Sequence, residues 1–180
     1  MGSIHLIIGP MFSGKTTKLI EISKSAKNSN TKFIALNYFK DVRYSNNKIT
    51  THDGLELDCI MIKNLKDILQ SQDFIDSDLV LINEGQFFKD LREFCLDCIE
   101  LNKTVIVCGL NGDFKMESFE EISEVIPICE TIQYLISKCI ICKDGTPASF
   151  TKRLIDNNEK VLIGSDEYYA PVCRKCHKST

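Results

Sequence analysis

Short apolar runs alternate along the chain with longer charged segments. Five such runs, rich in Ile, Val and Leu, cover residues 4–8, 33–36, 59–62, 79–82 and 104–108. These runs lack polar–apolar alternation, so they are typical of strands that are covered on both faces. The segments between several of them carry apolar residues at helical spacing. The pattern therefore predicts an α/β fold with a mostly parallel sheet and helices between the strands.

Two of the intervening segments predict helices that cover this sheet, TTKLIEISKSAK at 16–27 and DLREFCLDCIEL at 90–101. The residues expected on their buried faces are Leu19, Ile22 and Ala26 in the first, and Leu91, Phe94, Cys98 and Leu101 in the second. By contrast, residues 40–56 are polar and rich in turn formers, which predicts a loop or an irregular hairpin.

The pattern changes after about residue 138. Two strand-like runs, SFTKRLI at 149–155 and KVLIG at 160–164, are separated by the turn-forming DNNE and bracketed by cysteine pairs. This predicts two domains, an α/β domain over 1–137 and a small second domain over 138–180.

Composition and charge narrow the function classes. The chain has 180 residues and a formal net charge of −3, with 22 Lys plus Arg against 25 Asp plus Glu, which disfavours binding to a long nucleic acid. No run approaches the ~18–20 apolar residues of a membrane helix, and the N-terminus lacks the basic region of a secretory signal. We therefore expect a cytoplasmic protein without membrane association, whose nine cysteines are thiols or metal ligands.

A phosphate-binding loop follows the first apolar run. The segment GPMFSGKT fits the pattern G-x-x-x-x-G-K-[ST] and lies between a predicted strand and a predicted helix. Its backbone N–H groups favour phosphate, Lys15 can reach the β- and γ-phosphates, and the Thr16 hydroxyl can bind Mg²⁺. The expected ATP-binding residues are Gly9, Pro10, Met11, Phe12, Ser13, Gly14, Lys15 and Thr16.

A second strand should bring an acidic side chain to the same sheet edge, and the candidate segment is DLVLINEGQFF at 78–88. Asn83 occupies the position where a magnesium-binding Asp is usual, so Glu84 is the remaining carboxylate. An alternative role for Glu84 is a solvated residue at the start of a helix. With an amide at position 83, magnesium binding depends more on Thr16 and the phosphates. Charge alone then predicts that Asn83→Asp lowers the Mg²⁺ concentration needed for half-maximal activity.

Two C-x-x-C pairs separated by 30 residues predict a structural zinc site. The expected ligands are Cys139, Cys142, Cys173 and Cys176, with His177 as the alternative to the last of these. A closed site with four protein ligands has no position for a reactive water molecule. The third pair, Cys95 and Cys98, is expected to pack in the core, and Cys59, Cys108 and Cys129 are expected to be buried thiols.

Taken together, the motifs resemble those of the type II thymidine kinases, a family with cellular and large-DNA-virus members. They occur in order along the chain as GPMFSGKTT at 9–17, THDG at 51–54, NEGQFF at 83–88, GLNGDF at 109–114, FTKR at 150–153 and the two cysteine pairs. The resemblance implies a P-loop α/β domain, a zinc-bound domain whose hairpin forms a lasso over the nucleoside, and a homotetramer. It implies transfer of the ATP γ-phosphoryl group to the 5′-hydroxyl of thymidine. Feedback inhibition by dTTP is a further expectation from this resemblance.

The resemblance also assigns roles to residues. Glu84 corresponds to the family's catalytic carboxylate, Asn83 to its magnesium-binding Asp, and Asp41 and Arg43 to its phosphate-proximal acid and arginine. With Lys15, Glu84 and Arg43 form the expected catalytic set. The residues expected to bind the nucleoside are Met11, Phe87, Leu110, Phe114, Phe119, Thr151, Lys160, Val161, Leu162, Ile163, Gly164 and Tyr169.

Two other functions remain as alternatives at this point. One is another P-loop phosphotransferase or an NTPase with a structural zinc. The other is a zinc-ribbon module that binds nucleic acid through the basic segment RKCHK, although this leaves the P-loop unexplained.

Overall fold

The computed structural model describes residues 1–41, 47–51, 53–156 and 167–178. The strands are β1 (Ser3–Gly9), β2 (Phe33–Tyr38), β3 (Lys48–Thr50), β4 (Glu56–Asp58), β5 (Ile60–Ile62), β6 (Leu79–Ile82), β7 (Thr104–Leu110), β8 (Thr131–Tyr134), β9 (Ser137–Lys138), β10 (Pro147–Ala148), β11 (Phe150–Arg153) and β12 (Tyr169–Val172). The α-helices are α1 (Lys15–Asn28), α2 (Gln72–Asp76), α3 (Leu91–Glu100), α4 (Glu120–Val125) and α5 (Arg174–Lys178). Short 3₁₀ helices cover Leu65–Ile68, Gly85–Phe87 and Ile126–Ile128.

A six-stranded sheet forms the centre of the molecule, in the order β5-β2-β6-β7-β1-β8. All five pairings within it are parallel. The α/β fold with a parallel sheet is therefore confirmed, and each of the five apolar runs contributes a strand. The order places β7 between β1, which leads into the P-loop, and β6, which leads to Glu84.

The central strands are buried on both faces, which explains their continuous apolar sequence. On one face Leu6 and Val80 pack in a cluster with Phe94 of α3, and on the other Ile7 and Leu81 pack in a cluster with Leu19 of α1. The two predicted helices therefore cover opposite faces of the sheet.

The buried faces of these helices differ in detail from the prediction. In α1, Ile20 is buried while Ile22 is only half-buried. Leu101 is exposed because α3 ends at Glu100, and Cys95 is buried on the helix instead. Among the described residues, no helix is long and apolar enough to cross a membrane.

Strand β8 is absent from the sequence-based expectation. Its sequence TIQY alternates polar and apolar residues, and all four residues are exposed at the sheet edge. The pattern of a buried strand does not find such an element, because β8 joins the sheet through backbone bonds to β1 rather than through burial. In the polar segment 40–56, β3 pairs with β4 as a short antiparallel hairpin.

The C-terminal part is built from small two-stranded sheets. Strand β9 pairs with β10, and β11 pairs with β12, both antiparallel. Its own small core contains Ala148, Ala170 and Val172 beside the cysteines. The predicted strand KVLIG at 160–164 lies outside the described residues, and the predicted boundary at 137/138 stays a prediction.

Candidate active site

The P-loop connects β1 to α1 through a turn that two glycines permit. The chain just after β8 passes so close to Gly9 that a Cβ there would lie 2.4 Å from the Leu135 carbonyl oxygen. Gly14 has a φ of +86° directly before the helix, a conformation that L side chains rarely adopt. The loop therefore follows the arrangement expected from its sequence, with the N–H groups of the first turn of α1 free of intrahelical acceptors.

One large cavity of about 630 Å³ opens beside this loop. Its wall combines the P-loop with residues from the ends of β2, β6 and β7 and from the C-terminal part. Among the predicted site residues, those that line it are Met11, Phe12, Ser13, Gly14, Lys15, Thr16, Asn83, Glu84, Phe87, Leu110, Phe114, Phe119, Thr151 and Tyr169. The Lys15 ammonium donates to the Pro10 carbonyl oxygen at 2.7 Å, so its side chain lies folded back over the loop.

Glu84 lies just beyond β6 in the left-handed region, with φ 55° and ψ 42°. Such a conformation costs a non-glycine residue roughly 1–3 kcal/mol and is common at functional sites. The Gln86 amide holds the side chain, since its Nε2 donates to Glu84 Oε2 at 2.6 Å. The Leu110 backbone N–H in turn donates to Gln86 Oε1 at 3.0 Å, which fixes the orientation of the amide. Glu84 is thus a carboxylate with a defined direction on the cavity wall.

Asn83, Asn37 and Asp41 form a hydrogen-bonded series on the same wall. Asn83 Nδ2 donates to Asn37 Oδ1 at 3.1 Å, and Asn37 Nδ2 donates to Asp41 Oδ2 at 3.3 Å. All three residues are buried and line the cavity. Position 83 therefore contacts another side-chain amide rather than standing alone.

Phe114, which follows β7, and Tyr169 of β12 line an aromatic end of the cavity. The guanidinium carbon of Arg153 lies 3.7 Å from the centre of the Phe114 ring, and Arg153 Nη2 donates to the Tyr169 hydroxyl at 2.7 Å. The Met11 N–H of the P-loop donates to Thr151 Oγ1 at 3.0 Å. This bond connects the phosphate-binding loop directly to β11.

Four cysteines converge on one point in the C-terminal part. The sulfur atoms of Cys139, Cys142, Cys173 and Cys176 all lie within 4.8 Å of one another. Cys142 Sγ lies 3.7 Å from Cys173 Sγ and 3.5 Å from Cys176 Sγ. A tetrahedral zinc with Zn–S bonds of ~2.3 Å separates its sulfur ligands by about 3.8 Å, so these residues fit the metal.

The pKa values of two thiols in this cluster move in opposite directions. Burial raises the pKa of the Cys139 thiol, but backbone N–H groups that include those of Cys173 and Cys142 outweigh it and lower the pKa to about 6. The hydrogen bond with Cys142 raises the pKa of Cys176 to about 12. His177 Nε2 donates to the Phe114 carbonyl oxygen at 2.9 Å, so this nitrogen points to the cavity wall and Cys176 completes the cluster.

The remaining thiols fall into two groups. Cys95, Cys98 and Cys108 are buried, and burial raises the pKa of Cys108 to about 12. Cys59 and Cys129 are only half-buried, so their expected burial is wrong. Cys59 lies just before β5, and Cys129 follows a 3₁₀ helix at the surface, so neither lies within a covered strand.

Some predicted site residues do not line the cavity or lie outside the described residues. Gly9 and Pro10 do not line the cavity, and Pro10 contributes a carbonyl oxygen to Lys15. Arg43 and the segment 160–164 belong to the part of the chain that the structure does not describe.

Sequence reasoning missed the roles of Asn37, Gln86 and Arg153. Gln86 and Arg153 belong to the motifs NEGQFF and FTKR, so their motifs pointed to the site without assigning them a contact. Asn37 offers one signal, a polar residue within the apolar strand β2 that is only 1% exposed. A buried polar residue in such a strand needs a partner.

Comparison with known proteins identifies the family. The family model for thymidine kinase matches residues 2–177. The chain belongs to the thymidine kinase family. It is 40% identical over 177 residues to a thymidine kinase of sheeppox virus, with 98% of this chain and 97% of that protein covered.

Further members of the thymidine kinase family show similar identity. A fowlpox virus thymidine kinase is 40% identical over 178 residues, covering 97% of this chain and 96% of that protein. Thymidine kinase a of Arabidopsis thaliana is 37% identical over 178 residues, covering 97% of this chain and 74% of that protein. The family resemblance expected from the motifs is thereby confirmed.

Proposed function

We propose that this chain is a thymidine kinase, which transfers the γ-phosphoryl group of ATP to the 5′-hydroxyl of thymidine. The observation that carries the proposal is a single cavity lined by a P-loop, a directed carboxylate and an aromatic pocket, in a chain of this family. Phosphoryl transfer requires both substrates to be positioned in line, and one shared cavity supplies that arrangement.

The phosphate end of the cavity holds ATP in this proposal. The backbone N–H groups of residues 12–16 are proposed to face the phosphates, since the Met11 N–H already donates to Thr151, and Lys15 leaves the Pro10 carbonyl to contact the β- and γ-phosphates. Arg43 is proposed to stabilise the charge on the transferred group.

Glu84 is proposed as the general base. The 5′-oxygen forms a bond to the γ-phosphorus while the bond from that phosphorus to the β,γ-bridging oxygen breaks, and the 5′-hydroxyl proton passes to Glu84. The hydrogen bond from Gln86 to Oε2 supports this role, because it holds the carboxylate in one direction on the cavity wall. General-base catalysis typically contributes ~10²–10⁴-fold.

The nucleoside occupies the aromatic end in this proposal. Phe87, Leu110, Phe114, Phe119 and Tyr169 offer apolar surface for a flat pyrimidine. Met11 and Thr151 lie where the two ends meet, and the backbone of residues 160–164 is proposed to pair with the polar edge of thymine.

Two metal ions belong to the proposal. The four cysteines would hold a structural Zn²⁺, which ties both ends of the nucleoside-covering hairpin together. Thr16 and Asn83 offer oxygen donors for Mg²⁺ on the cavity wall, with Asp41 and Glu84 nearby, a donor set that suits a hard cation. When bound, Mg²⁺ neutralises charge that develops on the phosphates.

We also propose a cytoplasmic homotetramer that dTTP inhibits. The exposed edge strand β8, with Ile132 and Tyr134 on its surface, supports one interface between copies. Feedback is supported by the cavity itself, because dTTP carries both a thymine and a triphosphate and could occupy its two ends. Sedimentation equilibrium tests the assembly, with Ile132→Lys expected to weaken it and Ile75→Lys on α2 as an exposed control.

Nucleoside-dependent release of ADP tests the function. We expect release with thymidine, measured by a coupled assay, and much less with deoxycytidine; the assay also measures tolerance of deoxyuridine. An equal rate of ADP release with and without thymidine would instead indicate a P-loop NTPase. Binding of nucleic acid without any turnover would indicate a zinc-ribbon binding module.

A further inference from the structure

A directional series of hydrogen bonds determines how position 83 faces the cavity. It runs from Asn83 Nδ2 to Asn37 Oδ1, and from Asn37 Nδ2 to Asp41 Oδ2. Asn37 lies inside β2, which neighbours β6 in the sheet, so this residue reaches Asn83 at the adjacent strand end. Nothing in the family motifs described above includes Asn37.

The carboxylate of Asp41 fixes the direction of the whole series. An ionised carboxylate only accepts hydrogen bonds, so Asn37 must present its NH₂ group to Asp41. The Asn37 oxygen then faces Asn83, which must present its own NH₂ group in return. The carboxylate of Asp41 therefore orients both amides, although their oxygen and nitrogen atoms are similar in size.

This orientation leaves the side-chain oxygen of Asn83 for the cavity. No described residue donates to that oxygen, and Asn83 lines the cavity together with Thr16 and Glu84. We propose that Asn37 is a positioning residue for phosphoryl transfer, which holds Asn83 with its oxygen toward the phosphates and their cation. The proposal rests on the proposed function, because that function places ATP and Mg²⁺ at this wall.

The same geometry accounts for the departure from the family pattern at position 83. An Asp there would set a carboxylate oxygen against the Asn37 oxygen, and both groups only accept. If Asn37 turned over to donate to this new carboxylate, its oxygen would face the Asp41 carboxylate instead. Asn37 has one NH₂ group facing one neighbour and one oxygen facing the other. The series therefore accommodates a carboxylate at position 41 or at position 83, but not at both. The geometry therefore reverses the expectation from charge alone, and Asn83→Asp should impair rather than improve this chain.

Moving the carboxylate from one end of the series to the other tests the direction. We expect Asn83→Asp to lower Tm by roughly 4 °C or more, because a buried acceptor loses its donor. Within the series Asp41→Asn should cost less than Asn83→Asp, because an amide oxygen still accepts from Asn37. In the double variant Asp41→Asn/Asn83→Asp the series runs in reverse with both of its hydrogen bonds restored, so at least half of the Tm lost through Asn83→Asp should return. An Asn83→Asp protein as stable as the parent, or a double variant no better than the sum of its parts, would overturn the directional series.

Binding of the metal tests the positioning role separately. Mn²⁺ serves as a spectroscopic probe for the Mg²⁺ site, with free Mn²⁺ measured by electron paramagnetic resonance in the presence of a non-hydrolysable ATP analogue. Asn37→Leu removes the series at similar volume and should weaken Mn²⁺ binding about 10-fold, as loss of a residue that orients a ligand commonly does. It should lower kcat by a similar factor with the thymidine KM nearly unchanged. The exposed substitution Asn64→Leu serves as the matched control.

The two failures are distinguishable. If the Tm cycle holds and Asn37→Leu binds Mn²⁺ normally, Asn37 is a structural residue and the positioning role is wrong. If the parent releases no ADP with thymidine, the proposed function fails whatever the Tm cycle shows.

Discussion

Glu84 combines a strained backbone with a directed carboxylate, and this combination makes its role testable. Glu84→Gln removes the proton acceptor while keeping the shape of the side chain, so kcat should fall by roughly 10²-fold or more. ATP binding, measured by equilibrium dialysis, should persist because the P-loop is unchanged. Steady-state kinetics of the folded variant give the answer, and turnover near that of the parent would contradict the assignment. Glu93→Gln, on the exposed face of α3, is the control.

The left-handed conformation of Glu84 adds a second expectation at the same residue. Glycine adopts φ 55° without steric cost, so Glu84→Gly should be at least as stable as the parent while being as inactive as the Gln variant. Thermal unfolding and the kinase assay together measure this. A less stable Gly variant would show that the contacts of the carboxylate outweigh the backbone strain.

Thr151 connects the P-loop to the proposed nucleoside end of the cavity through its hydrogen bond with the Met11 N–H. Thr151→Val keeps the shape but removes the acceptor for the Met11 N–H, which leaves that donor without its partner in the buried wall. We expect the KM values for both ATP and thymidine to rise several-fold. Thr151→Ser retains the oxygen and serves as the matched control, so equal kinetics for the Val and Ser variants would exclude a role for the bond.

At the scale of elements, Lys103 stabilises the C-terminus of α2 although it lies 26 to 29 residues further along the chain. Its ammonium group is buried and donates to the carbonyl oxygens of Phe74, Ile75 and Ser77 at the C-terminus of α2. Helix C-termini carry partial negative charge and unpaired carbonyls, both of which a lysine stabilises.

Lys103→Met should therefore lower the free energy of unfolding by at least about 2 kcal/mol, because these carbonyl oxygens lose their donor. The kinase activity of the folded fraction should not change, since Lys103 lies away from the cavity wall. Chemical denaturation measures the effect. Lys66→Met removes an exposed lysine that pairs with Glu93, and the free energy of unfolding should stay nearly unchanged because solvent screens the pair.

The elements that the sequence predicts are those that burial defines. Continuous apolar runs predict β1, β2, β6 and β7, and the P-loop motif predicts the start of α1 at Lys15. Strand β8 was missed because an exposed edge strand is held by backbone hydrogen bonds, which leave little trace in side-chain pattern. The position of Leu101 was wrong because the exact end of a helix depends on local backbone geometry.

The motifs identified most residues of the candidate site but not the contacts between their side chains. The sequence placed the P-loop, Glu84 and the aromatic residues together, because parallel strands deliver their carboxyl ends to one edge. It could not give the series from Asn83 to Asp41, since β2 and β6 meet only in the folded sheet. Contacts of this kind depend on which strands are neighbours in the sheet. The order β5-β2-β6-β7-β1-β8 differs from the order of the strands along the chain, so the sequence does not show which strands are adjacent.

At the scale of the whole molecule, the cysteine cluster should determine whether the C-terminal part is ordered. Cys139→Ser should remove close to one zinc per chain and weaken thymidine binding at least 10-fold, because this part has only a small apolar core. Metal analysis and thymidine binding by calorimetry check this. Cys129→Ser, outside the cluster, is the control, and a Cys139→Ser protein that keeps both zinc and affinity would contradict the site.

Acid should release the same metal. Zinc binds the thiolate form of each cysteine, so binding of the metal releases protons and acid favours the metal-free cluster. Protons then compete with zinc for the sulfur. A chromophoric chelator should report faster zinc release in acid than at neutral pH, and a rate that does not respond to pH would contradict binding through thiolates.

The position of β7 between β1 and β6 fixes the distance between the ends of those two strands. Neighbouring strands lie about 4.8 Å apart, so the strand ends that carry the P-loop and Glu84 are separated by roughly 10 Å. In the proposed reaction the γ-phosphoryl group and one hydroxyl lie in line across this gap. With Glu84 as the proposed base, a hydroxyl on a longer or shorter arm would miss either the phosphorus or the carboxylate. Strand spacing would then select the reacting hydroxyl by its reach, before any group in the cavity recognises the rest of the acceptor.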